Sequence, residues 1–152
     1  MYYIKRTNST DLDFQKLVKE LDYDLAIRDG EEHAFFAQFN KIDGIKYAVV
    51  IYENEKAVGC GAIKAYQEDI IEVKRVFVPI EERGKGIASI LLKELEKWAE
   101  ELGYKKCILE TGTKQPEAIN LYKKNNYDII KNYGQYEGVE SSICFEKIIK
   151  PN

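Results

Sequence analysis

Two groups of residues in this chain have the types and spacing to do chemistry. Arg83-Gly84-Lys85-Gly86-Ile87-Ala88 is a basic, glycine-bearing turn that opens directly into a long amphipathic segment. Glycines let a ligand approach the main chain, a helix N-terminus offers unpaired N–H groups and positive potential, and Arg83 and Lys85 add formal charge. That combination suits a phosphate-bearing ligand. Eleven residues before Arg83, Glu72 interrupts the apolar strand Ile70 to Val78. A carboxylate at such a position is costly unless it is paired, faces a cleft or is used. Lys74 and Arg75 on the same strand read instead as solvated neighbours on an exposed stretch.

The elements that must position these groups follow from periodicity and turn chemistry. Tyr2 to Thr7 reads as a strand, and Thr10 or Ser9 caps a helix to about Tyr23, with Leu12, Leu17, Leu21 and Leu25 near helical spacing. Glu31 to Phe39 reads as a second short helix. Lys46 to Tyr52 and Ala57 to Tyr66 form a hairpin around Glu53-Asn54-Glu55-Lys56, and Ile70 to Val78 follows as a third strand in series, ended by Pro79. Simple alternation puts Glu72, Lys74, Val76 and Val78 on one face of that strand and Ile71, Val73, Arg75 and Phe77 on the other. Past the turn, Ile87, Leu91, Leu95, Trp98 and Leu102 make one helical face, and Gly103 stops the helix. A strand from Lys106 to Thr111, a helix from Pro116 to Lys124, and strands at Tyr127 to Ile130 and Ser142 to Ile149 complete the order. The fold class is α/β (α+β), a mixed sheet with helices on both faces, in a single domain over residues 1–152.

Composition bounds the partners. With 23 Lys+Arg against 26 Asp+Glu the net charge is −3, which speaks against the basic face that nucleic-acid binding requires. The N-terminal MYYIKRTNST has no apolar run suited to a secretory signal, and no segment approaches a membrane helix, so a cytoplasmic protein without membrane contact is expected. Cys60, Cys107 and Cys144 are too widely spaced for a metal pair or a disulfide framework and read as buried reduced thiols. No metal site is expected. The turn lacks the Lys-Ser/Thr pair of a GxxxxGK[ST] phosphate loop, and Ser89 stands where a GxGxxG dinucleotide fingerprint needs Gly or Ala.

Three blocks in order carry a family resemblance: Glu72-x-Lys74-Arg75-x-Phe77-Val78, then Arg83-x-x-Gly86-x-Ala88, then Glu117-Ala118-Ile119-x-Leu121-Tyr122-x-Lys124-x-x-Tyr127. Together they resemble the GNAT family of acetyl-CoA-dependent N-acetyltransferases, and the element order is similar along nearly the whole chain. The resemblance implies acetyl-CoA as co-substrate and direct acyl transfer to a primary amine of a small molecule or protein in a ternary complex. It implies that the backbone of Arg83, Gly84, Lys85, Gly86, Ile87 and Ala88 holds the pyrophosphate. Phe77 and Val78 would hydrogen-bond the pantetheine arm, with the Val78 amide directed at the thioester oxygen. By the same resemblance Glu72 is the general base and Tyr122 serves the leaving thiolate, although Tyr122 also reads as a core aromatic beside Leu121. Relatives shape the acceptor pocket with the region of His33, Phe35 and Phe36 and with the last hairpin, here Tyr133 and Tyr136; a packing role for His33 and a plain connecting loop for the hairpin remain as alternatives. Homodimers through the C-terminal strands are common among relatives. The family usually has Gly where Asn126 stands, and Gln115 replaces a frequent Asn. Transfer of another acyl group, an alcohol acceptor, or a non-catalytic CoA-binding regulatory module are the alternatives.

Overall fold

A computed structural model describes residues 1–30 and 44–150. The expected helix at Glu31 to Phe39, with His33, Phe35 and Phe36, lies outside the described residues. The elements run β1 (Tyr2–Thr7), α1 (Leu12–Asp29), β2 (Tyr47–Glu53), β3 (Lys56–Gln67), β4 (Ile70–Phe77), α2 (Ile87–Glu101), β5 (Lys106–Gly112), α3 (Pro116–Lys124), β6 (Asp128–Ile130) and β7 (Ser142–Ile148). The seven strands form one sheet in the order β1-β2-β3-β4-β5-β7-β6. Every neighbouring pair is antiparallel except β4 and β5.

Each face of the sheet carries its own core. Phe14, Leu17, Val18 and Leu21 of α1 pack on Ala48, Val50, Cys60, Ala62 and Phe77. On the other face Ile87, Leu91, Leu92, Leu95 and Ala99 of α2 meet Val49, Ile51, Ile63, Ile71 and Val73, and Tyr122 of α3 joins them. Asp11, rather than Thr10 or Ser9, caps α1: its carboxylate accepts from the Phe14 amide at 2.9 Å. Starting the helix there turns Leu12 outward, 79% exposed, and gives its expected core place to Phe14 and Val18. Cys60, Cys107 and Cys144 are free and buried, and burial pushes the Cys60 thiol up to about 12.

The close seat of α2 on β3 depends on Gly61. A Cβ there would lie 2.8 Å from Leu95 Cδ1. Gly61→Ala is therefore expected to destabilise the fold by about 1–3 kcal/mol through overpacking, read as a lower urea midpoint at unchanged slope.

β4 does not alternate throughout. Ala62 pairs with Lys74 and Cys60 with Phe77, so two steps on β3 face three on β4, and Arg75 takes the extra position with φ +60°. This β-bulge reverses the faces of everything beyond it. Val76 and Val78 join the α2 side and Phe77 the α1 side, so the simple alternation holds only as far as Lys74. Neither basic residue expected to be solvated is exposed: the bulge draws Arg75 inward, and Lys74, just ahead of it, is half-buried. Arg75 is 6% exposed and its guanidinium pairs with Asp22 of α1, while the Lys74 side chain is 13% exposed.

Candidate active site

β4 and β5 pair only at Ile70 with Lys106, Ile71 with Cys107 and Glu72 with Ile108. Past that point cavities line the end of the sheet. The larger, about 520 Å³, is walled by Val76 and Phe77 of β4 and Val78 just beyond it, by the loop and first turn of α2 (Arg83, Gly84, Gly86, Ile87, Ala88, Ser89), and by α3. The smaller, about 110 Å³, is polar: Glu72, Lys74 and Arg75 come from β4, Glu110 and Thr111 from β5, and Tyr136 from the last connection. Both share Leu21, Val76, Gln115, Ala118 and Tyr122, which sets them side by side with Tyr122 in the common wall.

The floor of the larger cavity is a helix N-terminus. Gly86 is the N-cap of α2 with φ +81° and has no side chain to occupy the first-turn N–H groups. Those groups are left for a ligand. Arg83 Nε donates to the Val78 carbonyl at 2.8 Å, closing the loop from Val78 to Arg83, and its guanidinium lies 5.9 Å from the Phe77 ring. Lys85 is not part of the lining. Its ammonium is held by Glu82, itself a wall residue of the cavity, 3.0 Å off, which Lys56 also holds at 3.0 Å.

Glu72 is 7% exposed and held on one side. The Tyr133 hydroxyl donates to its Oε2 at 2.6 Å, and Lys74 Nζ stands 3.9 Å from its Oε1. Burial first and the Glu72 carboxylate second push the Tyr133 phenol far up, which keeps it a donor. Tyr133 stacks edge-on against Tyr66 and Tyr136, so the last connection braces the carboxylate through an aromatic cluster. Tyr122 is 7% exposed, wedged against Tyr127 and Phe145, and burial raises its phenol well above the ordinary value. Its helix ends as the sequence allowed: Asn126 adopts φ +71°, and the Tyr127 amide returns to the Tyr122 carbonyl at 3.0 Å.

Sequence reasoning passed over Glu110. Its carboxylate lines the smaller cavity and accepts from Ser142 Oγ at 2.7 Å. The signal was available: Lys106-Cys107-Ile108-Leu109-Glu110 breaks an apolar strand with a carboxylate as Glu72 does. Gln115, the N-cap of α3, touches both cavities. Among the described residues no helix is long and apolar enough to cross a membrane.

The model of the acetyltransferase (GNAT) family matches residues 12–127, which include every residue named in both cavities except Tyr136. The chain belongs to the GNAT family. It is 38% identical over 91 residues to the IAA acetyltransferase of Azospirillum brasilense, covering 59% of this chain and 60% of that one. Of the N-acetyltransferase YjgM from Escherichia coli the chain spans 53%, so it covers only part of these relatives' length. Among solved structures, a Klebsiella pneumoniae protein assigned as an acyl-CoA N-acyltransferase matches with a TM-score of 0.83 over 98% of both chains at 29% identity. PaiA N-acetyltransferase of Thermoplasma acidophilum, solved with coenzyme A, has a TM-score of 0.72 over 97% of this chain and 99% of its own. At 17% identity that likeness speaks for the fold alone.

Proposed function

We propose that this GNAT protein transfers the acetyl group of acetyl-CoA directly to a primary amine bound in the smaller cavity. The observation that carries the reading is that the two cavities adjoin at Tyr122: an uncapped helix N-terminus floors one and a buried carboxylate lines the other. The pyrophosphate would rest on the N–H groups from Gly84 to Ala88. The pantetheine arm would lie along Phe77 and Val78, and the thioester would reach the junction. The Val78 N–H would oppose the oxygen that gains charge as the amine adds. Glu72, held by Tyr133, would take the amine proton directly or through a water, and Tyr122 would donate a hydrogen bond to the departing sulfur. Lys85 would act at a distance, through the field of the loop.

Isothermal titration of acetyl-CoA, CoA and ATP tests the cofactor assignment. Binding of the first two and not of ATP is expected; binding of ATP alone, or of nothing, would remove the reading. Glu72→Gln then reports on the acceptor. Deprotonating a lysine-type amine at pH 7 costs about 4.6 kcal/mol, against about 1 kcal/mol for an α-amine. The variant should therefore lose kcat/KM far more steeply on lysine-type amines than on α-amines, as read by release of free CoA thiol. Equal losses on both would mean that Glu72 does not take the proton.

A further inference from the structure

An amine already stands beside the carboxylate assigned as base. Among the described residues Lys74 is the one lysine lining the smaller cavity, and its Nζ is 3.9 Å from Glu72 Oε1. It projects to the same side of β4 as Glu72 but sits nearer the donor end. Strands rise about 3.3 Å per residue, so its Cα is about 6–7 Å closer than that of Glu72 to Val78, which borders the larger cavity. Val76, two residues on, borders both. Burial lowers the Lys74 ammonium from the usual lysine range, reinforced by Lys64 and Arg75 and opposed by Glu72 and Glu110. The neutral, nucleophilic amine is thereby more accessible than on an exposed lysine.

We propose that Lys74 is a self-acetylation site, modified when acetyl-CoA is bound and no acceptor fills the smaller cavity. The inference rests on the acetyl-CoA reading above. The deprotonated Nζ adds to the thioester carbonyl carbon, a C–N bond forms, and the C–S bond breaks. Of the two protons that the ammonium gives up, one ends on the CoA sulfur and one in solvent through Glu72. The product is a neutral amide. It no longer pairs with Glu72, and its added bulk occupies a space of only about 110 Å³. Acetylated protein should therefore turn over an external amine more slowly.

The experiment incubates the purified chain with acetyl-CoA alone and follows intact mass and peptide maps. One acetyl group at Lys74 is expected, appearing at a first-order rate that does not change on dilution. Lys74→Arg keeps the positive charge and should lose the adduct while still binding acetyl-CoA in calorimetry. An absent adduct overturns the proposal. So does acetyl spread over exposed lysines such as Lys56, or an undiminished adduct in Lys74→Arg. Calorimetry on the same sample separates the two failures. Acetyl-CoA binding without adduct sinks self-acetylation alone, whereas absence of both sinks the acetyl-CoA reading with it.

Discussion

Gly86→Glu is expected to abolish acetyl-CoA binding and leave the protein folded. The position holds φ +81°, where a side chain adds about 1–2 kcal/mol of strain. Against a typical stability of about 5–15 kcal/mol, that leaves most molecules native. Nothing lies within 4 Å of the Cβ that would be added, so no packing is disturbed. The new carboxylate would emerge at the N-cap of α2, beside the unpaired N–H groups proposed to hold the pyrophosphate. It would take up the same positive field, worth about 0.3–1 kcal/mol to a nearby anion, and repel the phosphates as well. Two unit charges about 4 Å apart at a protein surface repel by about 4 kcal/mol, so a loss of more than a hundredfold in affinity is expected. Gly86→Ala carries the same backbone strain without the charge and should lose far less. Calorimetry beside a thermal melt checks both variants. Undiminished affinity in Gly86→Glu would withdraw the phosphate-loop assignment.

What was legible in the sequence follows from how local each signal is. The order of strands and helices rests on periodicity and on punctuation by Pro79 and Pro116, and these act within a few residues. Asn126 could be read as a left-handed position because few other residues tolerate it, and it has φ +71°. The bulge at Arg75 could not be read. It exists because β3 and β4 differ by one residue between two paired points, and nothing in Val-Lys-Arg-Val-Phe marks which residue is extra. That single register change reverses Val76 and Val78 and draws Arg75 to Asp22, a residue 53 positions away. The brace from Tyr133 to Glu72 spans 61 positions and was equally invisible, although both residues were singled out separately. Lys85 shows the opposite limit. Its type suited the phosphate loop, but its neighbour Glu82 lies closer in sequence and space and takes the ammonium. Pairing through space, local for Lys85 and long-range for Arg75 and Glu72, decides how each charge is held, and the long-range part leaves little record in one sequence.

Tyr122→Phe should lower turnover roughly ten- to a hundredfold with little change in acetyl-CoA affinity. Removing the hydroxyl leaves the ring between Tyr127 and Phe145, so the packing of α3 survives. What is lost is a donor at the junction of the two cavities. A hydrogen bond to a charged group is worth about 1.5–3 kcal/mol, and each 1.36 kcal/mol corresponds to about a factor of ten in rate. The charge arises only as the C–S bond breaks, so the loss belongs in kcat rather than in cofactor binding. The raised phenol also fixes how the group can act. An ordinary phenol is already a weaker acid than a thiol, by about 1.5 pKa units or about 2 kcal/mol, and burial followed by the Glu110 charge widens the gap. Tyr122 therefore stabilises the thiolate by donating a hydrogen bond, and the sulfur takes its proton late. Because the folded pKa is raised, the donor form persists as pH increases through 10, and turnover should show no alkaline fall from phenol ionisation below that pH. Equal losses in kcat and in acetyl-CoA affinity would place Tyr122 in the wall of the cavity instead, as a packing residue.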